Sequence, residues 1–283
     1  FQLSFLSMAS ILLFVNPLYA VLGRLPVQLR GAVATSLGVQ VLPTPVAIGM
    51  FHILPLGSVL ANLVVVPLCT AALWMCFLVA VCATVSSRLA LIFGHAAMPV
   101  VELIRLTARA VASQDFSYLV ITSPTAAAAY AYWGAVACGA AGILGRRKRQ
   151  WVLVCGVLIV VTIIFWNPPA PPEPEVVFLD VGHGDSIFVR VRGGETMLVD
   201  GGNRANRADA GRRVVAPFLW SSHVKRLDYV AVSHPDSDHI GGLFYVLENF
   251  EVGTVLMSAA VTDAKLEASF LEKCDALNIP VRR

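Results

Sequence analysis

Charge is what this chain has least of. Charged side chains make up 14% of its 283 residues, against a hydrophobic share of 57% and a mean hydropathy of +0.73. That balance excludes an ordinary soluble domain throughout. Cys-Xaa-Xaa-Cys pairs are missing too. Cys69, Cys76, Cys82, Cys138 and Cys155 lie in apolar stretches and Cys274 stands alone. Zinc-finger and thioredoxin readings therefore fail, and the thiols read as small buried hydrophobes. The formal net charge of +3 is too small to argue for nucleic acid by itself. Residue 1 is Phe, the first apolar run (3–22) carries no basic leader, and "LNIPVRR" stops where a strand is starting. A segment cut at both ends is expected.

What is present falls into two parts. Apolar residues crowd the chain before Pro168, and charged side chains and Gly return to globular frequency after it. The expected organisation is a multi-pass α-helical membrane region (1–166), a stiff Pro-rich linker "NPPAPPEPE" (167–175) and an α/β domain from 176 to 283. A helical span needs about 20 apolar residues. Candidates are 3–22, 31–53 (weakly), 57–85, 117–144 and 151–166, the last bracketed by Trp151 and Trp166. The stretch 41–68 carries Pro43, Pro45, Pro55 and Pro67 with His52 and Asn62 among apolar residues. Broken backbone of this kind is either a structural kink or the lining of a conduit. Along 88–112, Arg88, His95, Glu102 and Arg109 recur every seven residues with Arg105 beside them, one polar stripe on a helix. An interfacial helix is expected there rather than an aqueous path. "RRKRQ" (146–150) is the densest basic run. Basic loops stay cytoplasmic, which sends the α/β domain outside the cytoplasm.

From 176 the pattern alternates like strands: "VVFLDV" and "SIFVRV" around a turn "GHGD" (182–185), then "ETMLVDGG". A helix is expected over 208–222 despite Pro217, a strand in "LDYVAVSH", a helix in "GGLFYVLENF", a strand in "GTVLMS" and a helix over 263–277. "SHPDSDHIGG" (233–242) then sets two His and two Asp into six positions of a Gly-flanked strand-to-helix loop. Positions 234, 236 and 238 can point the same way with 239 turned aside, which offers two ligands to each of two neighbouring metals.

His-Xaa-Asp-Xaa-Asp-His with Gly-Gly, preceded by "LDVGHGDS" and "LVDGG", resembles the metallo-β-lactamase-like domain of the ComEC/Rec2 competence family of DNA-uptake channels. "FQLSFLS" (1–7) and "LANLVVVPL" (60–68) are similar to segments of its membrane domain. The resemblance implies a multi-pass helical domain followed by part of an αββα sandwich. It implies that His234 and Asp236 hold one metal, and Asp238 and His239 the other. Asp200 would orient ligands and Asp185 would face the site or cap the hairpin; with Asp238 these are the candidate catalytic groups. His183 departs from the Gln of that family, and a turn role is favoured over substrate contact. Further ligands are implied beyond Arg283, leaving the site half built and this segment inactive.

Two metals about 3.5–4 Å apart can polarise a phosphodiester and supply a hydroxide nucleophile. Asp236 in place of an imidazole tilts the choice weakly from Zn²⁺ toward Mn²⁺. The expected function is DNA uptake across the cytoplasmic membrane, with hydrolysis of the non-transported strand. Expected partners are DNA, membrane lipid, other competence proteins and further copies of the chain. A membrane-tethered hydrolase of a small substrate and a non-catalytic, metal-containing DNA-binding module are the competing readings.

Overall fold

The structure, a computed structural model, describes residues 1–144, 148–166, 168, 173–205, 208–258 and 264–283. Its contacts form two compact units: Phe1–Ile48 with Ile53–Ile121, and Gly49–His52 with Thr122–Arg283.

The first 121 residues hold helices α1 (Gln2–Val21), α2 (Val27–Gly38) and α3 (Thr44–Phe51), strand β1 (Ile53–Leu54), helices α4 (Ser58–Ala83) and α5 (Ser87–Ala112), and strand β2 (Leu119–Val120). Among the described residues, α1, α4 and α5 are long and apolar enough to cross a membrane, and hardly any of their side chains are buried by protein. α1 and α4, apolar on all sides, suit lipid rather than water. α4 and α5 pack side by side. Antiparallel pairing of β1 with β2 closes the chain before and after them.

One expectation changes here, and a second gains a structural frame. The weak span over 31–53 is two short helices, α2 and α3, because Pro43 disfavours helical backbone at Leu42. The stretch read as interfacial, 88–112, belongs to α5, which is continuous over 26 residues, about 39 Å at 1.5 Å per residue. That is enough to span. Its stripe is partly neutralised within the helix, since Arg105 Nε donates to Glu102 Oε2 at 2.7 Å, and paired charges are what a membrane helix tolerates.

In the second unit, α6 (Ala126–Leu144) and α7 (Lys148–Trp166) pack as a hairpin. α6 starts at Ala126 rather than at 117, because Pro124 biases Ser123 to extended backbone. Trp166 Nε1 donates to the Thr122 carbonyl at 3.1 Å and Thr125 Oγ1 to that of Phe165 at 2.7 Å. Arg146 and Arg147 of "RRKRQ" and most of the Pro-rich linker lie outside the described residues.

The α/β part runs β3 (Glu175–Phe178), β4 (Ile187–Arg190), β5 (Thr196–Val199), β6 (Arg204–Ala205), β7 (Ala208–Asp209), α8 (Ala216–Ser221), β8 (Arg226–Val232), α9 (Ser237–Ile240), α10 (Leu243–Asn249), β9 (Glu251–Met257), α11 (Ala264–Ala276) and β10 (Val281–Arg282). The helix expected over 208–222 is present as continuous helical backbone from Ala210 to Ser221, in which a π-helical stretch (Gly211–Val215) runs into α8. Pro217 stands where the π-helical stretch passes into α8.

One mixed sheet has the order β10-β9-β8-β5-β4-β3. Its register aligns Val177, Phe188, Leu198, Val230, Val255 and Val281 in one row across all six strands. Residues in one row share a face, and this face packs on Val215, Leu219, Leu243, Val246 and Phe270 to form the core. The other face keeps Val176, Phe178 and Tyr229 exposed.

His52, from the Pro-broken stretch, is buried in this second unit with φ +56°. Its ring lies 5.5 Å from Trp220, its Nδ1 3.4 Å from Ser123 Oγ and its Nε2 3.5 Å from Ser221 Oγ. It is a satisfied polar residue, one of the two readings open from the sequence.

Candidate metal centre

β5 and β8 are parallel neighbours, so their C-terminal ends open on one edge of the sheet. Ile187, the first residue of β4, pairs with Val199, the last of β5. The β3–β4 connection therefore reaches the same edge. Three loops meet there, and backbone hydrogen bonds stitch them together. Gly201 N donates to the His239 carbonyl at 2.7 Å, Gly242 N to that of Gly202 at 2.9 Å, and Gly202 N to that of Asp185 at 2.9 Å. The contact is too close for side chains. A Cβ on Gly242 would sit 2.0 Å from the Gly201 carbonyl oxygen, so the glycines of "LVDGG" and "HIGG" are requirements of one joint.

Asp200, at φ +57° and 2% exposed, is the hub. Its Oδ1 accepts from Ser233 N–H at 2.9 Å, and its Oδ2 lies 2.6 Å from Ser233 Oγ and 2.8 Å from His239 Nδ1. A carboxylate only accepts, so His239 carries its hydrogen on Nδ1 and Ser233 spends its single hydrogen on Asp200. His234 Nδ1, 3.0 Å from Ser233 Oγ, must then donate as well. Both imidazoles consequently present an Nε2 lone pair, the form in which histidine binds a metal. One Asp–Ser pair sets both tautomers.

Those lone pairs face carboxylates. His234 Nε2 lies 3.4 Å from Asp236 Oδ2, and His239 Nε2 lies 3.9 Å from Asp238 Oδ2. The two rings are 3.8 Å apart between centroids. Asp236 precedes α9 but makes no side-chain capping bond, so its carboxylate is free of the role Asp commonly takes there. Pro235 is fully buried, and a proline there disfavours helical backbone at His234. The four residues fit a divalent-metal site in donor type and direction, each pair offering one ring nitrogen and one carboxylate oxygen. Among the described residues no three His, Cys, Asp or Glu side chains already form a closed ligand group. Asp185 is exposed, and among the described residues its carboxylate makes no hydrogen bond or ion pair; only its carbonyl serves the joint.

Comparison with known proteins assigns both halves of the chain to families. A family model described as competence protein matches residues 1–146, just over half of the 283-residue chain. The chain belongs to the competence protein family. A second model, the metallo-beta-lactamase superfamily, matches residues 179–270 and contains all three loops. This superfamily implies a divalent-metal site, and the competence match with the apolar helices makes the chain a membrane protein. Among relatives, ComE operon protein 3 of Bacillus subtilis is 26% identical over 271 residues, 89% of this chain and 34% of its own length. Uncharacterized protein YcaI of Escherichia coli is 27% identical over 250 residues, 79% of this chain and 29% of its own length. Competence protein ComA of Neisseria gonorrhoeae is 36% identical over 100 residues, 35% of this chain and 13% of its own length. The chain thus spans about a third or less of these curated relatives.

Sequence reasoning missed two members of the competence-protein site. Ser233 adjoins the first histidine, and its adjacency was the signal; its hydroxyl looked like loop polarity. His183, assigned to a turn, sits on that turn and also reaches Asp238, with Nε2 3.4 Å from Oδ2. Nothing local in "GHGD" announces that contact.

Proposed function

We propose that this chain is part of a DNA-uptake channel in which the membrane helices pass a single strand inward and the α/β domain hydrolyses the strand left behind. One observation carries the reading: a competence-type membrane region is followed in the same chain by a loop cluster that brings two His–Asp pairs together. His234 and Asp236 would hold one divalent ion, Asp238 and His239 the other. Two ions bound there supply the charge stabilisation that phosphodiester hydrolysis needs. The chain's own residues do the rest. Asp200 and Ser233 hold the imidazole hydrogens on Nδ1, the glycine joint fixes the loops, and Asp185 stands exposed at the rim where substrate arrives.

"RRKRQ" on the cytoplasmic side puts the α/β domain outside the cytoplasm, at the face where incoming DNA is met. The carboxylate in the His234–Asp236 pair suits a hard ion such as Mn²⁺ better than Zn²⁺. Partners on this reading are the translocated strand, lipid, other competence proteins and further copies of the chain.

The test substitutes Asp238→Ala at the chromosomal locus and follows end-labelled duplex DNA offered to competent cells. Release of nucleotides from the discarded strand should fall at least 100-fold with the protein still in the membrane. Undiminished release refutes the nuclease part. Uptake that survives His52, Asn62 and Glu102 substitutions marks the helices as a tether only.

A further inference from the structure

We infer that His183 is a third protein donor for the ion held by Asp238 and His239, which makes that position the softer of the two. The inference rests on the metal-centre reading above. His183 stands between Gly182 at φ +80° and Gly184 at φ +89°, a turn that glycine adopts at little steric cost. A Cβ on Gly184 would lie 1.7 Å from the Asp238 carbonyl oxygen. The turn is therefore pressed onto the backbone of the ligand loop, and only a glycine permits the approach.

That approach places His183. Its Nε2 lies 3.4 Å from Asp238 Oδ2, and His239 Nε2 lies 3.9 Å from the same oxygen. Metal bonds of about 2.1 Å in a tetrahedron set neighbouring donors about 3.4 Å apart. One carboxylate oxygen thus already has two imidazole nitrogens at, or close to, ligand spacing. The set is not closed, as no three ligand side chains yet converge among the described residues. Closing it asks only for movement of His183, whose side chain is 81% exposed and free to turn.

The chemistry that follows differs between the two positions. Two imidazoles and one carboxylate favour Zn²⁺ or Co²⁺, whereas one imidazole and one carboxylate favour a harder ion. The centre is then asymmetric, with a Zn²⁺-selecting position at Asp238–His239–His183 and a Mn²⁺-tolerant one at His234–Asp236. The rival role for His183 is substrate contact, since it also borders a groove of about 380 Å³ that includes Asn203, Asp209 and Arg213.

The experiment uses the whole chain in detergent micelles, stripped of metal and titrated with Co²⁺, read by visible absorption and calorimetry. Zn²⁺/Mn²⁺ competition follows. In the unmodified chain two Co²⁺ ions bind. His183→Gln should weaken one of them at least tenfold, dim its absorption and lower the Zn²⁺-over-Mn²⁺ preference, with the melting temperature unchanged. Asp238→Ala is the reference and should remove that same ion. Unaltered Co²⁺ affinity and spectrum in His183→Gln, with Asp238→Ala still losing an ion, overturn the role of His183 and leave the metal centre standing. Binding indifferent to both substitutions overturns the metal centre as well. A variant that binds Co²⁺ normally but holds a single-stranded oligonucleotide more weakly moves His183 to the groove and also overturns the inference.

Discussion

Replacing Asp200 by Asn keeps the shape of the side chain and turns one acceptor oxygen into an NH₂ group. Backbone strain does not enter, because Asn tolerates the φ of +57° that Asp200 adopts. The remaining oxygen can still accept from Ser233 N–H, and the Ser233 hydroxyl can rotate to accept from the new NH₂. His239 has no such escape. Its Nδ1, 2.8 Å from the lost oxygen, either gives up its partner or moves its hydrogen to Nε2 and loses the lone pair that faces Asp238. A hydrogen bond to a charged group contributes about 1.5–3 kcal/mol. Independently, losing the partner that orients a ligating histidine lowers metal affinity by about 10–100-fold, roughly 1.4–2.8 kcal/mol. The two routes agree. Titration of the chain in detergent with Co²⁺ should show this weakening at one ion, while circular dichroism shows the fold retained. Wild-type affinity for both ions in Asp200→Asn would refute the claim that Asp200 sets the His239 tautomer.

Gly242→Ala drives a Cβ to 2.0 Å from the Gly201 carbonyl and should destabilise the α/β part by about 3 kcal/mol or more. Gly31→Ala, with nothing within 4 Å of its Cβ, should leave the melting temperature unchanged or higher. Phe188→Ala empties a fully buried position in the sheet row and should cost about 3–5 kcal/mol in chemical denaturation. Burial pushes the Cys274 thiol up to about 11 from an ordinary 9.0, with the nearby Asp275 carboxylate adding to it. Folding therefore favours the protonated thiol, and its contribution to stability is full below pH 9 and is lost as pH rises through 11. Peptide-resolved alkylation at pH 8 should spare Cys274 until denaturant is added, and labelling of the native chain there would refute its burial.

Legibility in the sequence followed the range of the interactions. α1 and α4 could be read because hydropathy is summed along the chain, and β3, β4, β5, β8 and β9 because alternation has a period of two residues. The four candidate donors of "SHPDSDH" stood out by residue type and spacing. The place of α5 relative to the membrane was not legible, because a charged stripe looks alike on a surface helix and a spanning one. The helix over 208–222 was legible in its bulk, but the strand at its start and the π-helical stretch within it were not, because they depend on packing from Gly211 and Val215 against distant segments.

By itself the sequence determined a membrane region, an α/β region and which residues could ligate a metal, since composition, periodicity and donor chemistry belong to each residue and its near neighbours. Only the tertiary structure decided that Ser233 and Asp200 bond the Nδ1 atoms of both histidines, and that Gly184 brings His183 beside Asp238. It also decided that the glycines of two distant motifs form one joint. Those facts depend on atoms 33 to 55 positions apart in the chain (Asp200 to Ser233, His183 to Asp238), and no local pattern records which of them fold into contact.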